Sequence, residues 1–320
     1  MAELSSRLFL EYAAAVRPEV DAALDLASQY DADCPVVLRE AIRHSLLAPG
    51  KRLRPLLVLM SAEACGCPRE GAMPAACAVE MVHTYSLIHD DLPAMDDDDW
   101  RRGRPSCHAR FGEAMAILAG DALLAQAFEV LSGGIRSPDV AAACCLELAR
   151  AAGASALVGG QVDDLQSPFP GNAGAPPRSP GDGRPEPREP AGLVPQAQLE
   201  RIHRRKTGAM FRVSLRLGGI VARTAPPRLA ALDAFGQKLG LAFQIVDDLL
   251  DIKGDPTALG KSVGKDREQR KLTFPALLGV EGSRRRAEAM IREAQQQLLV
   301  FGAQAGCLES LASYVLERNR

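Results

Sequence analysis

Two dense clusters of aspartate, far apart in the chain, constrain this sequence more than any other feature. The first reads His89-Asp90-Asp91-Leu92-Pro93-Ala94-Met95-Asp96, and the second Gln244-Ile245-Val246-Asp247-Asp248-Leu249-Leu250-Asp251. Each sits in an apolar stretch. Carboxylates packed this closely among Leu, Ile and Val are costly to bury unless cations neutralise them. Hard oxygen ligands in a site that keeps some water are what Mg2+ prefers. The two clusters therefore read as two metal-binding walls of one site.

Helical periodicity surrounds both walls. Residues 72 to 91 place Val79, Val82, Ser86, Leu87 and Asp90 at three- and four-residue steps, and residues 228 to 251 read similarly. Ala, Leu, Glu, Arg and Gln fill most of the chain, strand-type alternation is scarce, and no repeat of about 20 to 50 residues recurs. With 320 residues, 47% of them hydrophobic, the chain can bury a sizeable core. The expected fold class is all-α. Residues 167 to 195 break the pattern, holding nine of the chain's 22 prolines together with Gly, Arg and Glu. Such a composition buries too little apolar surface to offset its ordering entropy. It reads as a disordered insertion between two helices of one domain spanning residues 1–320, because one aspartate cluster precedes it and the other follows.

A net charge of −2 argues against nucleic-acid binding and against a polybasic membrane anchor. The eight cysteines form no CxxC pair and no Cys/His ligand spacing, which argues against zinc. Most of them read as small core residues in a reducing compartment, with the cytoplasm as the default location. Glu3, Arg7, Glu11 and Arg17 interrupt any signal-peptide core at the N-terminus. No uncharged apolar run reaches the roughly 18 residues of a membrane span.

The first cluster should end its helix. Pro93 removes a backbone donor and crowds the carbonyl of His89, so the helix stops near Leu92 and residues 93 to 96 turn to bring Asp96 back beside Asp90. Asp97 to Asp99, followed by Arg101, Arg102 and Arg104, read equally as a solvated loop or as a continuation of the site. In the second cluster Asp247 and Asp251 form an i, i+4 pair with Asp248 beside them, a like-charged set that needs something positive facing it. Lys253, Lys261 and Lys265 follow in a Gly-interrupted segment that reads either as a basic flap closing over an anion or as an exposed loop. Two further basic motifs, Gly50 to Pro55 and Arg204 to Gly208, lack acidic neighbours in the sequence. Beside two metal-binding walls they suggest a substrate with diphosphate groups, one held through Mg2+ and another directly by Lys and Arg.

These residues strongly resemble the trans-isoprenyl diphosphate synthases, and most closely the bacterial farnesyl and geranylgeranyl diphosphate synthases. The matching segments are Gly50 to Pro55, His83 to Gly103, Gly112 to Ala122, Lys206 to Gly208, Gln244 to Asp251 and Gly260 to Pro275, in family order. The resemblance implies a helical bundle around a deep central cavity, both aspartate helices at its mouth, and a homodimer. By the same resemblance Asp90, Asp91, Asp96, Asp247, Asp248 and Asp251 would hold about three Mg2+ ions on an allylic diphosphate, helped by Arg101, Lys206, Lys261 and Lys265. Isopentenyl diphosphate would lie on Lys51, Arg54, His83 and Arg102, with Thr207 and Gln244 flanking the reacting carbons. In this family the residues four and five before the first aspartate, here Ser86 and Tyr85, form the cavity floor. An aromatic there fits a farnesyl product; the alternative is a geranylgeranyl product. Pro49 departs from the family by replacing a second Gly, and the insertion at 167 to 195 is long. A class I terpene cyclase would share one aspartate-rich helix but has no use for an isopentenyl site. A non-catalytic subunit of a heterodimeric synthase tends to lose one cluster, whereas this chain keeps both.

Overall fold

The computed structural model describes residues 6–166, 195–253 and 272–318. Apart from one short hairpin, the elements are helices. Helices α1 (Arg7–Ala27) and α2 (Val36–Leu46) lead into α3 (Leu53–Ala64) and α4 (Arg69–Asp90). The hairpin, β1 (Trp100–Arg101) and β2 (Arg104–Pro105), precedes α5 (Cys107–Phe111), α6 (Glu113–Gly134), α7 (Pro138–Ala152) and α8 (Leu157–Leu165). Helix α9 (Pro195–His203) passes through a π-helical turn, Arg204–Gly208, into α10 (Ala209–Val221). Then come α11 (Pro226–Lys253), α12 (Phe274–Gln297), a 3-10 segment (Leu298–Ala305) and α13 (Gly306–Glu317).

Helix α3 is buried over most of its circumference, the signature of a helix surrounded by others. Leu56, Leu57, Val58 and Leu59 are completely buried, and α3 packs between α4 and α10. Helix α10 in turn contacts α11, which lies along α12, and α4 lies along α6. Gly218 of α10 fixes one of these spacings, since a Cβ there would sit 2.2 Å from the carbonyl oxygen of Val58. The resulting core is one cluster running from Phe9 to Val315.

Both aspartate clusters ride on helices of this core. Helix α4 stops at Asp90, two residues before the end expected from Pro93, and the Asp96 N–H donates to the Asp90 carbonyl at 2.9 Å. The proline-enforced turn thus returns Asp96 to Asp90 as its chemistry requires. The second cluster lies within α11. All but the last residue of the 167–195 segment, and the downstream stretch with Lys261 and Lys265, lie outside the described residues.

Two further expectations concern the cysteines and the longest apolar helices. Of the eight cysteines, Cys77, Cys107 and Cys144 are buried, while the other five are half-buried, among them Cys65 and Cys67 in the turn that follows α3. The expectation against membrane spans rested on uninterrupted uncharged runs. With up to two charges admitted, Glu113–Gly134, Pro138–Leu165 and Phe274–Glu317 are each long and apolar enough to cross a membrane by length and composition. Such helices also suit the interior of a large bundle.

Candidate active site

Lys206, in the π-helical turn, is where the first aspartate wall meets the rest of the molecule. Its Nζ lies 3.6 Å from Asp90 Oδ2 and 3.1 Å from Asp164 Oδ2 of α8. The approach of α8 depends on Gly160, where a Cβ would stand 2.5 Å from the Lys206 backbone nitrogen. On the same helix Asp163 accepts from Arg205 at 2.7 Å and from Arg201 at 3.2 Å. Burial raises the pKa of Asp90, Lys206 opposes that rise, and Asp96 and Asp164 add to it. Burial also works against the Lys206 ammonium, but Asp90, Asp164 and Asp96 outweigh it and raise its pKa overall. The lysine is therefore a fixed positive charge among three carboxylates.

Asp91 points into the protein. It is 2% exposed and accepts from Arg101 Nε at 2.9 Å, while Arg101 also reaches Asp98 at 3.5 Å. The hairpin positions Arg101: Arg102 (φ 53°) and Gly103 (φ 75°) both take positive φ, the arrangement of a two-residue type I′ turn. Arg102 is thereby placed against Gly50 and within 3.6 Å of Glu80 Oε1. Its Nη1 is buried without a hydrogen-bond partner, as is Nε of Arg54, whose guanidinium lies 5.6 Å over the Phe211 ring. Burial pushes the Arg54 pKa down to about 10, with Arg102 adding to the fall. His83 is held well below its usual range by burial and by Arg54 and Arg102. Unsatisfied buried donors are expensive, so Arg54 and Arg102 each keep a guanidinium N–H to offer an anion.

The second wall is tied to the same turn. The Thr207 hydroxyl donates to Gln244 Oε1 at 3.2 Å, and Gln244 Nε2 donates to Asp248 at 3.1 Å. The other Asp248 oxygen accepts the Phe274 N–H at 3.0 Å, so this buried carboxylate anchors the start of α12. Asp247 accepts from Arg318 at 3.0 Å, with that guanidinium 4.6 Å over the Phe243 ring. Asp251 is half-buried on the same helix. Behind the first wall, Tyr85 is 6% exposed with its ring edge-on to His89 at 5.7 Å, and the Ser86 hydroxyl donates to the His83 carbonyl at 2.9 Å.

The basic motifs are not unpaired. Arg52, in the left-handed region at φ 49°, donates to Glu80 at 2.8 Å and Asp21 at 2.7 Å, and Arg205 and Lys206 meet Asp163 and Asp164. Their partners come from distant helices, which a search for acidic neighbours along the chain cannot see. Glu80, Asp164 and Arg318 were the residues missed. Glu80 does leave a signal, as a lone acid in the apolar run Ala75 to Val82; Arg318 leaves none.

Among the described residues no three His, Cys, Asp or Glu side chains converge as a closed metal cage. The donor set nonetheless fits Mg2+, which keeps several waters and needs only one or two carboxylates plus substrate phosphates. Asp90, Asp96 and Asp164 supply hard oxygens in excess of the one lysine among them.

Known proteins resemble this chain along most of its length. A family model described as Polyprenyl synthetase matches residues 35–300. Geranylgeranyl pyrophosphate synthase 12 of Arabidopsis thaliana is 46% identical over 293 residues, covering 89% of this chain and 75% of that protein. Farnesyl diphosphate synthase of Escherichia coli is 44% identical over 294 residues, covering 89% and 90%. The crystal structure of a FPP/GFPP synthase from Zymomonas mobilis superposes with a TM-score of 0.79 at 35% identity, covering 99% of this chain and all of that one. The chain belongs to the polyprenyl synthetase family. It is an isoprenyl diphosphate synthase, a transferase with the all-α fold of that family.

Proposed function

We propose that the enzyme condenses isopentenyl diphosphate with dimethylallyl and then geranyl diphosphate to make farnesyl diphosphate, as a cytoplasmic, Mg2+-dependent homodimer. The observation that carries this reading is the π-helical turn, which joins Lys206 to Asp90 and Thr207 to Gln244 and so brings both aspartate walls to one place. Bound Mg2+ supplies charge stabilisation for a departing diphosphate. Lys206, raised in pKa and fixed among carboxylates, adds a permanent positive charge there. The allylic cation left behind is attacked by the double bond of isopentenyl diphosphate, whose own diphosphate rests on Lys51, Arg54 and Arg102. His83, held neutral, offers a hydrogen bond without further charge. A proton then leaves the new cation for the departed diphosphate. Arg318 must release Asp247, and Lys261 and Lys265 would assist from outside the described residues.

The farnesyl product rests on Tyr85, a bulky side chain five residues before Asp90 on the same helix. The homodimer rests on α6, which leaves Ile117 and Leu118 about half exposed in a single chain. The cytoplasm rests on eight cysteines that are all free thiols. Purified protein incubated with isopentenyl diphosphate, Mg2+ and each allylic starter should yield farnesyl diphosphate as the main product by chromatography. Mainly geranylgeranyl diphosphate would overturn the product assignment; no condensation would overturn the reading itself.

A further inference from the structure

A groove of about 650 Å3 opens beside the hairpin, lined by Arg39, Arg43, Arg104, Arg110, His44 and Glu40 among others. It shares no residue with the groups named above for diphosphate or metal. Arg43 is neutralised by Asp25, which it meets through Nη2. Arg39, Arg104 and Arg110 have no carboxylate partner among the described residues, and Glu40 is the single acid in the lining. Three guanidinium groups facing one carboxylate across a concave surface focus a positive potential that attracts anions. The planar guanidinium fork matches phosphate oxygens in particular.

The groove is wired to the hairpin through one histidine. His44 is buried, its Nε2 lies 2.8 Å from the Pro105 carbonyl, and its Nδ1 lies 3.2 Å from Arg110 Nη1. These contacts require a neutral ring with the proton on Nε2, donating to Pro105 and accepting from Arg110. Burial, together with Arg110 and Arg104, lowers the His44 pKa in the same sense. The His44 carbonyl also accepts from Arg104 at 3.0 Å, and Arg104 is the cross-strand partner of Arg101. An anion drawing on Arg104 and Arg110 therefore pulls on the ribbon that carries Arg101 and Arg102.

We propose that this groove is a second anion site, taking a small compound with a diphosphate group, and that its occupancy is transmitted to the Arg101–Arg104 rung. The proposal does not depend on the product or even on the reaction assigned above. The source of the diphosphate, inorganic diphosphate or a nucleoside diphosphate, is separated by using both as probes.

The test is calorimetric titration of the full-length, metal-free protein with inorganic diphosphate and, separately, ADP. It is run in a Lys51→Gln/Arg54→Gln background that weakens the other anion corner. Expected is saturable binding of at least one probe, weakened at least tenfold when Arg39→Gln and Arg110→Gln are added. Arg39 is half-buried and Arg110 exposed, so the added substitutions should leave the fold intact, which a thermal melt of each variant checks. Trp100, the sole tryptophan, stands on β1 opposite Pro105, so its fluorescence should change along the same titration. Absence of binding by both probes, or binding unaffected by the two groove substitutions, overturns the site. Binding with silent Trp100 fluorescence overturns the transmission to the hairpin.

Discussion

Burying the Asp90 carboxylate costs the metal-free fold stability. Its pKa is raised because burial penalises the carboxylate and because Asp96 and Asp164 repel it, with Lys206 and Arg101 opposing. Folding the metal-free protein with Asp90 ionised is thus unfavourable at this position, while a divalent cation would relieve the repulsion. Asp90→Asn separates the two roles. Turnover should fall at least about 100-fold, since a lost metal ligand removes several kcal/mol of stabilisation at the departing diphosphate. The metal-free melting temperature should stay level or rise, because the amide carries no charge to desolvate. Steady-state kinetics and a thermal melt check both halves. A variant that keeps its turnover would refute the metal role of this wall, and one that melts much earlier would mark Asp90 as structural.

Helices α4 and α11 look alike in sequence, yet their aspartates do different work, and element context decides which. Asp248 caps the start of α12 through the Phe274 N–H, whereas Asp247 faces Arg318 at the edge of the site. Asp248→Ala should therefore cost about 1 kcal/mol or more in urea unfolding, the usual loss for a removed helix-start acceptor, while Asp247→Ala costs less. Equal losses would contradict the division. Helix α4 bears the proposed length determinant. Tyr85 is buried edge-on to His89, five residues before Asp90, so Tyr85→Ala removes volume without touching a metal or diphosphate ligand. Products should shift from farnesyl toward geranylgeranyl diphosphate with overall rate little changed, and an unaltered chromatogram would remove Tyr85 as the floor. Periodicity made both helices legible, and Pro93 made the Asp96 turn legible, because these signals are local. The partners of Arg52, Lys206 and Asp247 were not legible, since Glu80, Asp164 and Arg318 arrive from helices whose packing no local pattern encodes. The π-helical turn at Arg204–Gly208 was equally hidden, its sequence reading as an ordinary turn or helix.

Across the whole molecule, burial of imidazoles sets the pH response. His203, stacked on Phe274 at 5.7 Å, has its pKa lowered to about 4 by burial, with Lys206 adding to the fall against Asp164. Burial also lowers His83 and His44. Each depressed histidine binds its proton more readily in the unfolded chain than in the folded one, so stability declines as pH falls through the unfolded value of 6.5. For His203 the decline continues until about pH 4, where the folded state also protonates. Asp90 and Asp91 have the opposite sign, because their raised pKa values make the folded state take up protons first. The three histidines act against stability across the interval from pH 7.5 down to 5. His203 alone accounts for about 2 kcal/mol over that interval. Urea unfolding at pH 7.5, 6.0 and 5.0 should show the midpoint dropping steadily, and His203→Gln should flatten much of the slope. A midpoint that holds constant across the three pH values would mean that these imidazoles protonate in the folded protein as freely as in water.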